Sequence, residues 1–261
     1  MPQKIIPYDK IYNIDTEKDK ISIFSRYYKY LNETVQGFPN TKISIKKMRD
    51  YDKRFEITIN GPEEIFVTNI LKKEIGLINQ FDHIREGNTY KGTIVDVGKV
   101  GFGVFVDCAI FNPESEVLIP LHTLREQLCN GKNKSLREIL KVYDLIENFP
   151  LYINIVSIDR KKMQIEGKIA DKTIKFFEHI LEENLEAVLV TGETKAQFKK
   201  ALVKTGHFRD IVSIERFGFL ENIVILKQDT NAPGIIADIG KHLRGCKISA
   251  LRPERIRRFF E

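Results

Sequence analysis

Hydrophobic and polar positions along this chain switch repeatedly between a helical period and a period of two, and the switches outline three successive regions. Residues 23–35 (IFSRYYKYLNETV) carry a helical pattern that stops at Gly37 and Pro39. TKISIKKM and KRFEITI then alternate as two strands around a charged turn at 49–52. Asn60, Gly61 and Pro62 punctuate the chain before a second helical run, EEIFVTNILKKEIG, which Gly76 ends. From Tyr90 to Ile169 the pattern is strand-dominated, broken over residues 124–147 by two helical pieces, LREQL and SLREILKVYDLIE, joined by CNGKNK. From Glu186 the order is strand (AVLVT), helix (TKAQFKKALVKT), strand (RDIVSIE), strand (NIVILK), helix (PGIIADIGKHL) and strand (KISAL). That βαββαβ order is the ferredoxin-like arrangement. The expected class is α+β: an N-terminal α+β domain (1–86), a five-stranded barrel with inserted helices (87–170, helices 124–147), and a ferredoxin-like domain (171–261).

The stretch DVGKVGFGVFVD, residues 96–107, sets three glycines among β-branched and aromatic residues. Glycine weakens a strand, so there it marks a bulge, a barrel corner or a close backbone approach. Small barrels need such bends to close, and the expectation is that all three glycines serve as barrel-closing bends.

The surrounding pattern carries Gly87 and Gly92 about the first strand, Phe-Gly-x-Phe-Val at Phe102–Val106, Leu-Ile-Pro at Leu118–Pro120 and Ile158-Asp159 at the close. It resembles the RNA-binding OB-fold module first recognised in a large small-subunit ribosomal protein, the S-one domain. That module binds RNA with two aromatics of its second strand, a His near the end of the third, and an Asp and an Arg around the last hairpin. The resemblance implies that Phe102, Phe105 and Asp159 occupy three of those positions, whereas Pro120 stands where the His is usual and Met163 where the Arg is common. Tyr90, Lys91, Lys99, His122, Arg160, Lys161 and Lys162 are near enough along the chain to compensate. The alternative for Phe102 and Phe105 is barrel core, and for Arg160–Lys162 a solvated hairpin turn.

A net charge of +6 permits an anionic partner without requiring one. The cationic excess is spread evenly over the three regions, so any basic footprint is local. The densest is the 42–54 hairpin, where period-two geometry puts Lys42, Ser44 and Lys46 on one face, with Lys47, Arg49, Lys53 and Arg54 nearby. The competing reading is a solvated face guarding an edge strand. RPERIRRFF, with Arg252, Arg255, Arg257, Arg258, Phe259 and Phe260, suits RNA or a protein partner, or a tail docked on its own domain.

Asp229, Thr230 and Asn231 before Pro233-Gly234 start a helix whose free amides suit a carboxylate or phosphate, and this short segment resembles the amino-acid-binding turn of ACT domains. TGHFRD groups His207, Arg209 and Asp210, but on a strand His207 and Asp210 face opposite ways, which argues against their acting together. Cys108, Cys129 and Cys246 form no CxxC pair, the five histidines are scattered, and no P-loop or HExxH motif occurs, so neither metal, cofactor nor catalysis is expected. GKVGFG is not followed by a helical pattern and is no dinucleotide loop. No apolar run reaches the roughly 20 residues of a membrane span, so a cytoplasmic protein is expected.

The order of the parts, with LIPLHTLREQL, GHFRDIVSIERFG and NAPGIIADIG, also resembles a conserved archaeal protein family, which implies an archaeal cytoplasm. Three functions stay open: a non-enzymatic RNA-binding protein of translation or RNA processing; an adaptor in a ribonucleoprotein or transcription or translation assembly, contacting a protein partner through 124–147 and the Arg-Phe tail; and a small-ligand sensor using the Asn231–Gly234 turn.

Overall fold

The structure is a computed structural model in which residues 2–260 are described. The chain divides between Ile78 and Asn79 into two units.

The first unit runs β1 (Gln3–Ile5), α1 (Glu17–Thr34), β2 (Lys42–Met48), β3 (Phe55–Asn60) and α2 (Glu64–Glu74), with an antiparallel sheet ordered β1-β3-β2. Helix α1 starts before the apolar pattern does because Thr16 and Asp19 form a capping box: the Asp19 amide donates to Thr16 Oγ1 and the Thr16 amide to the Asp19 carboxylate. Ile23, Tyr27 and Leu31 then follow at helical spacing and are buried.

The hairpin differs from the expected cationic patch in two ways. A register shift between Ile45 and Lys47 takes Lys46 out of the ladder, although it remains exposed like Lys42. Arg49 and Arg54 are buried: Arg49 Nε donates to Asp52 Oδ1 at 2.9 Å and Arg54 Nε to the Tyr8 carbonyl at 2.9 Å. Asp52 and the Tyr8 carbonyl satisfy two buried guanidinium groups, so both arginines hold the turn together and are withdrawn from the surface.

The second unit opens with β4 (Asn79–Gln80), β5 (Thr89–Val95), β6 (Gly103–Phe111), β7 (Ser115–Pro120), α3 (Leu121–Cys129), α4 (Leu136–Val142), β8 (Pro150–Asp159) and β9 (Gln164–Ile169). The strands run β6-β5-β8-β9-β7, and the β6–β7 pairing closes them into a five-stranded barrel. β7 and β9 pair in parallel while the other barrel contacts are antiparallel. Val104, Val106, Cys108 and Ile110 of β6 point into the core at alternate positions, so Phe105 and Asp107 face outward.

Only one of the three glycines in 96–107 lies in the strand. Gly98, at φ +77°, and Gly101 belong to the β5–β6 turn, which corrects the reading of all three as strand bends. Gly103 is where β6 meets β7: a Cβ there would lie 2.4 Å from the Ile119 carbonyl oxygen. At Gly92 and Gly167 the crowding comes from side chains instead, with a Cβ reaching 2.4 Å from Val106 Cγ1 and 2.7 Å from Ile153 Cγ2 respectively.

Next come α5 (Asp171–Glu182), an element the sequence pattern did not single out, β10 (Ala187–Thr191), α6 (Lys195–Lys204), β11 (Ile211–Arg216), β12 (Glu221–Leu226), α7 (Ala232–Ile239), β13 (Lys247–Leu251) and α8 (Pro253–Phe260). The antiparallel order β11-β12-β10-β13 is the ferredoxin-like sheet. Both faces of its central strands are buried. Val188, Val190, Val224 and Leu226 pack under α6 and α7, whereas Ala187, Leu189, Ile223 and Ile225 join the core shared by the barrel and α5.

The glycine contacts predict a contrast readable by urea denaturation. Gly103→Ala drives a methyl group into strand backbone and is expected to cost about 1–3 kcal/mol, lowering the midpoint at unchanged slope. Gly101→Ala enters open space and should stay within about 0.5 kcal/mol of the parent.

Candidate nucleic-acid interface

Phe102 and Phe105 stand together on the outside of the barrel. Phe102 ends the β5–β6 turn, is 57% exposed, and meets the half-buried Phe105 ring edge-on at 6.1 Å. Neither ring belongs to the barrel core. Two contacts hold the turn that presents them. The Glu147 carboxylate, just beyond the inserted helices, accepts from the Asp96 and Val97 amides at 3.2 Å each, and the Phe102 carbonyl accepts from the Leu121 amide at 2.8 Å.

The turn and the inserted helices enclose a cleft of about 550 Å³ lined by Gly98, Lys99, Gly101, Leu121, Arg125 and Arg137 among others, with no carboxylate in its lining. Lys99 is tied to Asp96 at 2.6 Å, which raises its pKa, and Arg125 Nε donates to the Lys134 carbonyl. Arg137 is exposed and makes no ion pair among the described residues. Arg125 and Arg137 were not picked out from sequence, because only folding of the insertion carries them beside a turn more than twenty residues away.

The other predicted residues scatter. The Tyr90 ring packs on the barrel core and its hydroxyl accepts from the Arg85 amide, so it does not join the outer aromatic face. Lys91 pairs across the ladder with Tyr152 and lies 5.4 Å from the Phe217 ring. It is four residues from Val95, the β5 partner of Phe105, or roughly 13 Å along the strand. His122 is exposed on the first turn of α3.

Asp159 organises the last hairpin: its Oδ1 accepts from the Lys161 and Lys162 amides at 3.0 Å each. Arg160 turns back to the 81–83 turn, donating to the Ile84 carbonyl and pairing with Asp82 at 3.7 Å. Lys161 and Lys162 are exposed on the hairpin turn, with Lys162 3.9 Å from Asp159. Lys42 and Lys46 belong to the first unit.

Two further candidates from sequence are consumed by the fold. At the Asn231–Gly234 turn the Ala232 amide donates to Glu186 Oε2 at 2.6 Å and the Gly234 amide to Asn231 Oδ1 at 2.9 Å. The carboxylate expected there is the chain's own. In the tail, Arg252 pairs with the same Glu186 at 2.9 Å, Arg257 donates to Asn184 Oδ1 at 2.6 Å, and Phe259 and Phe260 pack against the barrel core cluster. The tail is a docked helix, not a free arm.

His207 and Asp210 do meet. They lie on a 3-10 turn, His207–Asp210, rather than on a strand, and its i,i+3 geometry sets His207 Nδ1 2.9 Å from Asp210 Oδ2. Nε2 lies 3.0 Å from Asp238 Oδ2 on α7. Among the described residues no three His, Cys, Asp or Glu side chains form a metal-holding group, and no helix is long and apolar enough to cross a membrane.

The closed strand order thus defines an OB-like barrel, here joined to a ferredoxin-like sheet. Residues 84–180 match the model of the DUF2110 central domain and residues 185–251 that of the DUF2110 C-terminal domain. Both matches fall within the second unit, in that order. No curated protein matches the chain. Similar solved structures include protein MJ1198 of Methanocaldococcus jannaschii, at 16% identity over 34% of this chain and 95% of that one, TM-score 0.23. GSP13 of Bacillus subtilis is similar at 17% identity over 37% and 62%, TM-score 0.26. The intact alpha subunit of aIF2 from Pyrococcus abyssi is similar at 11% over 66% and 98%, TM-score 0.25.

The His207 clasp makes stability depend on pH. Hydrogen bonds to Asp238 and then Asp210 raise the His207 pKa above its usual value near 6.5. A raised folded-state pKa gives stability that is complete below the unfolded value and lost as pH rises through the folded one. The urea midpoint should therefore fall as pH is raised from about 6 through the shifted pKa, and His207→Gln should remove that fall.

Proposed function

We propose that this protein binds single-stranded RNA on the outer face of its barrel, in the manner of an S-one domain, as a non-enzymatic factor of translation or RNA processing in the cytoplasm. The observation that carries the reading is the exposed Phe102 ring, set against Phe105 and beside a cleft lined by Lys99, Arg125 and Arg137 with no carboxylate. Aromatic faces stack on unpaired bases whatever their sequence, while guanidinium and ammonium groups hold the phosphates between them. In this arrangement Arg125 and Arg137 supply the positive charge that Pro120 and Met163 do not. Lys161, Lys162 and His122 remain candidate outlying contacts, and Asp159 supports the hairpin that carries the two lysines. The Arg-Phe tail gives the adaptor reading less support than a free arm would, since both its rings are partly buried against the barrel core cluster.

The test is fluorescence anisotropy with labelled oligouridylate across a salt series. Phe102→Ala with Phe105→Ala, the fold intact by circular dichroism, should weaken binding by about 1–3 kcal/mol per stacked base lost. Unchanged affinity would reject the stacking face. Arg137→Ala should flatten the dependence of log affinity on log salt by about 0.7, the loss of one phosphate contact.

A further inference from the structure

A second aromatic and cationic site lies where strand β8, helix α5 and strand β11 meet, all within the second unit. A cleft of about 160 Å³ there is lined by Tyr152, Lys172, Phe176, Phe217 and the neighbouring Glu215 and Arg216 among others. The Tyr152 and Phe217 rings are 4.9 Å apart and tilted by 59°. The Lys172 ammonium sits 3.9 Å over the Tyr152 ring, and Lys91 lies 5.4 Å over Phe217. Lys172 makes no ion pair among the described residues.

A second, more polar cleft of about 210 Å³ adjoins the first through Lys172 and is lined by Thr89, Asn154, Lys168 and Asp171 as well. Lys168 and Asn154 are ladder partners, so rigid strand backbone fixes their separation. One ammonium, that of Lys172, thus stands at the boundary between an aromatic compartment and a polar one in which Lys168 is the other cation and Asp171 the carboxylate.

Two properties decide the ligand class. The aromatic compartment is smaller than the roughly 300 Å³ at which drug-sized sites begin, and its rings offer flat apolar surfaces suited to one planar ring system. An ammonium on a ring face costs little to redirect, because a cation–π contact is worth about 0.5–1 kcal/mol at an exposed site, less than a charge-assisted bond to an anion. A planar ring joined to an anionic group would satisfy both compartments at once. The geometry points to a nucleotide site in which the base enters beside Tyr152 and Phe217 and the phosphate is held by Lys172 and Lys168. The inference does not depend on the Phe102 face, from which the Lys91 end of β5 is separated along the strand.

The nucleotide has two sources, a free mononucleotide or one residue of an RNA strand, and calorimetry on the full chain separates them. The probes are AMP, GMP, CMP and UMP, and in parallel octa-adenylate and octauridylate. Binding of a mononucleotide assigns the free ligand; binding of the oligonucleotides alone, with the dependence below, assigns a base of a strand. In either case Lys172→Glu and Tyr152→Leu should each weaken binding about tenfold or more, as expected when a stacked base or its phosphate contact is lost. Lys175→Glu, an exposed position on the same helix that lines neither cleft, is the charge-matched control and should leave the affinity within about twofold. Lys172 is exposed on α5, so its substitution keeps the fold even should Tyr152→Leu disturb it.

The inference is overturned if Lys172→Glu changes affinity for no probe, or changes it no more than Lys175→Glu does. Phe102→Ala with Phe105→Ala keeps the two sites distinct: it should weaken oligonucleotide binding at the outer face while Lys172→Glu, made in that background, still lowers the affinity of whichever probe binds at Tyr152. A background in which Lys172→Glu has no further effect would refute a separate nucleotide site.

Discussion

Barrel closure depends on three strand positions that have no room for a Cβ. At Gly92, Gly103 and Gly167 a methyl group would lie 2.4–2.7 Å from a neighbouring atom, and at Gly103 that atom is strand backbone that cannot swing aside. These three absences let β5, β6 and β9 pass near their partners so that β6 and β7 pair and the sheet shuts. Once closed, the alternation along β6 leaves no choice: Val104, Val106, Cys108 and Ile110 fill the interior, and Phe105 is carried outside. The outer aromatic face follows from how the core is filled.

The inserted helices then give that face its charge. Leu124, Leu128, Ile139 and Leu140 bury into the barrel core, and burying them fixes where Arg125 and Arg137, on other sides of the same helices, emerge. Glu147 ties the end of the insertion to the turn that holds Phe102. The ferredoxin-like sheet is constrained in a similar way. Its central strands are buried on both faces, so AVLVT and NIVIL read as continuous apolar runs rather than alternating ones. The barrel and α5 cover one of those faces, and the clefts around Tyr152 and Lys172 lie along that junction.

Charge counted along the chain is a poor guide to charge on the surface here. Arg49 and Arg54 are spent inside a turn, Arg160 on Asp82 and a carbonyl, Arg252 on Glu186, and Arg257 on a helix end. Each looked like an available cation in a basic stretch. Burial makes an unpaired guanidinium costly, which is why Arg49 and Arg54 have Asp52 and a carbonyl as partners, while the more exposed Arg160, Arg252 and Arg257 are held by groups that packing brings beside them. The cations left facing a cleft without such partners, Arg137, Lys168 and Lys172, lie in none of the stretches that the sequence pattern marked as basic.

Periodicity, glycine and proline placement and the order of elements by themselves determined the βαββαβ order and, with the S-one resemblance, the barrel, because these follow from local geometry and from interactions between near neighbours; whether Phe102 and Phe105 lie outside the barrel or in its core was settled only by the closed strands. The 3-10 turn that joins His207 to Asp210 was missed because its preceding helix and following strand both lie within a few residues and no local signal separates them. What only the tertiary structure decided are the pairings across long separations: Glu186 at the Ala232 amide, Arg125 and Arg137 beside the Phe102 turn, and Lys172 over Tyr152. Those depend on which faces pack together, and a one-dimensional pattern records that a face is apolar without recording what covers it.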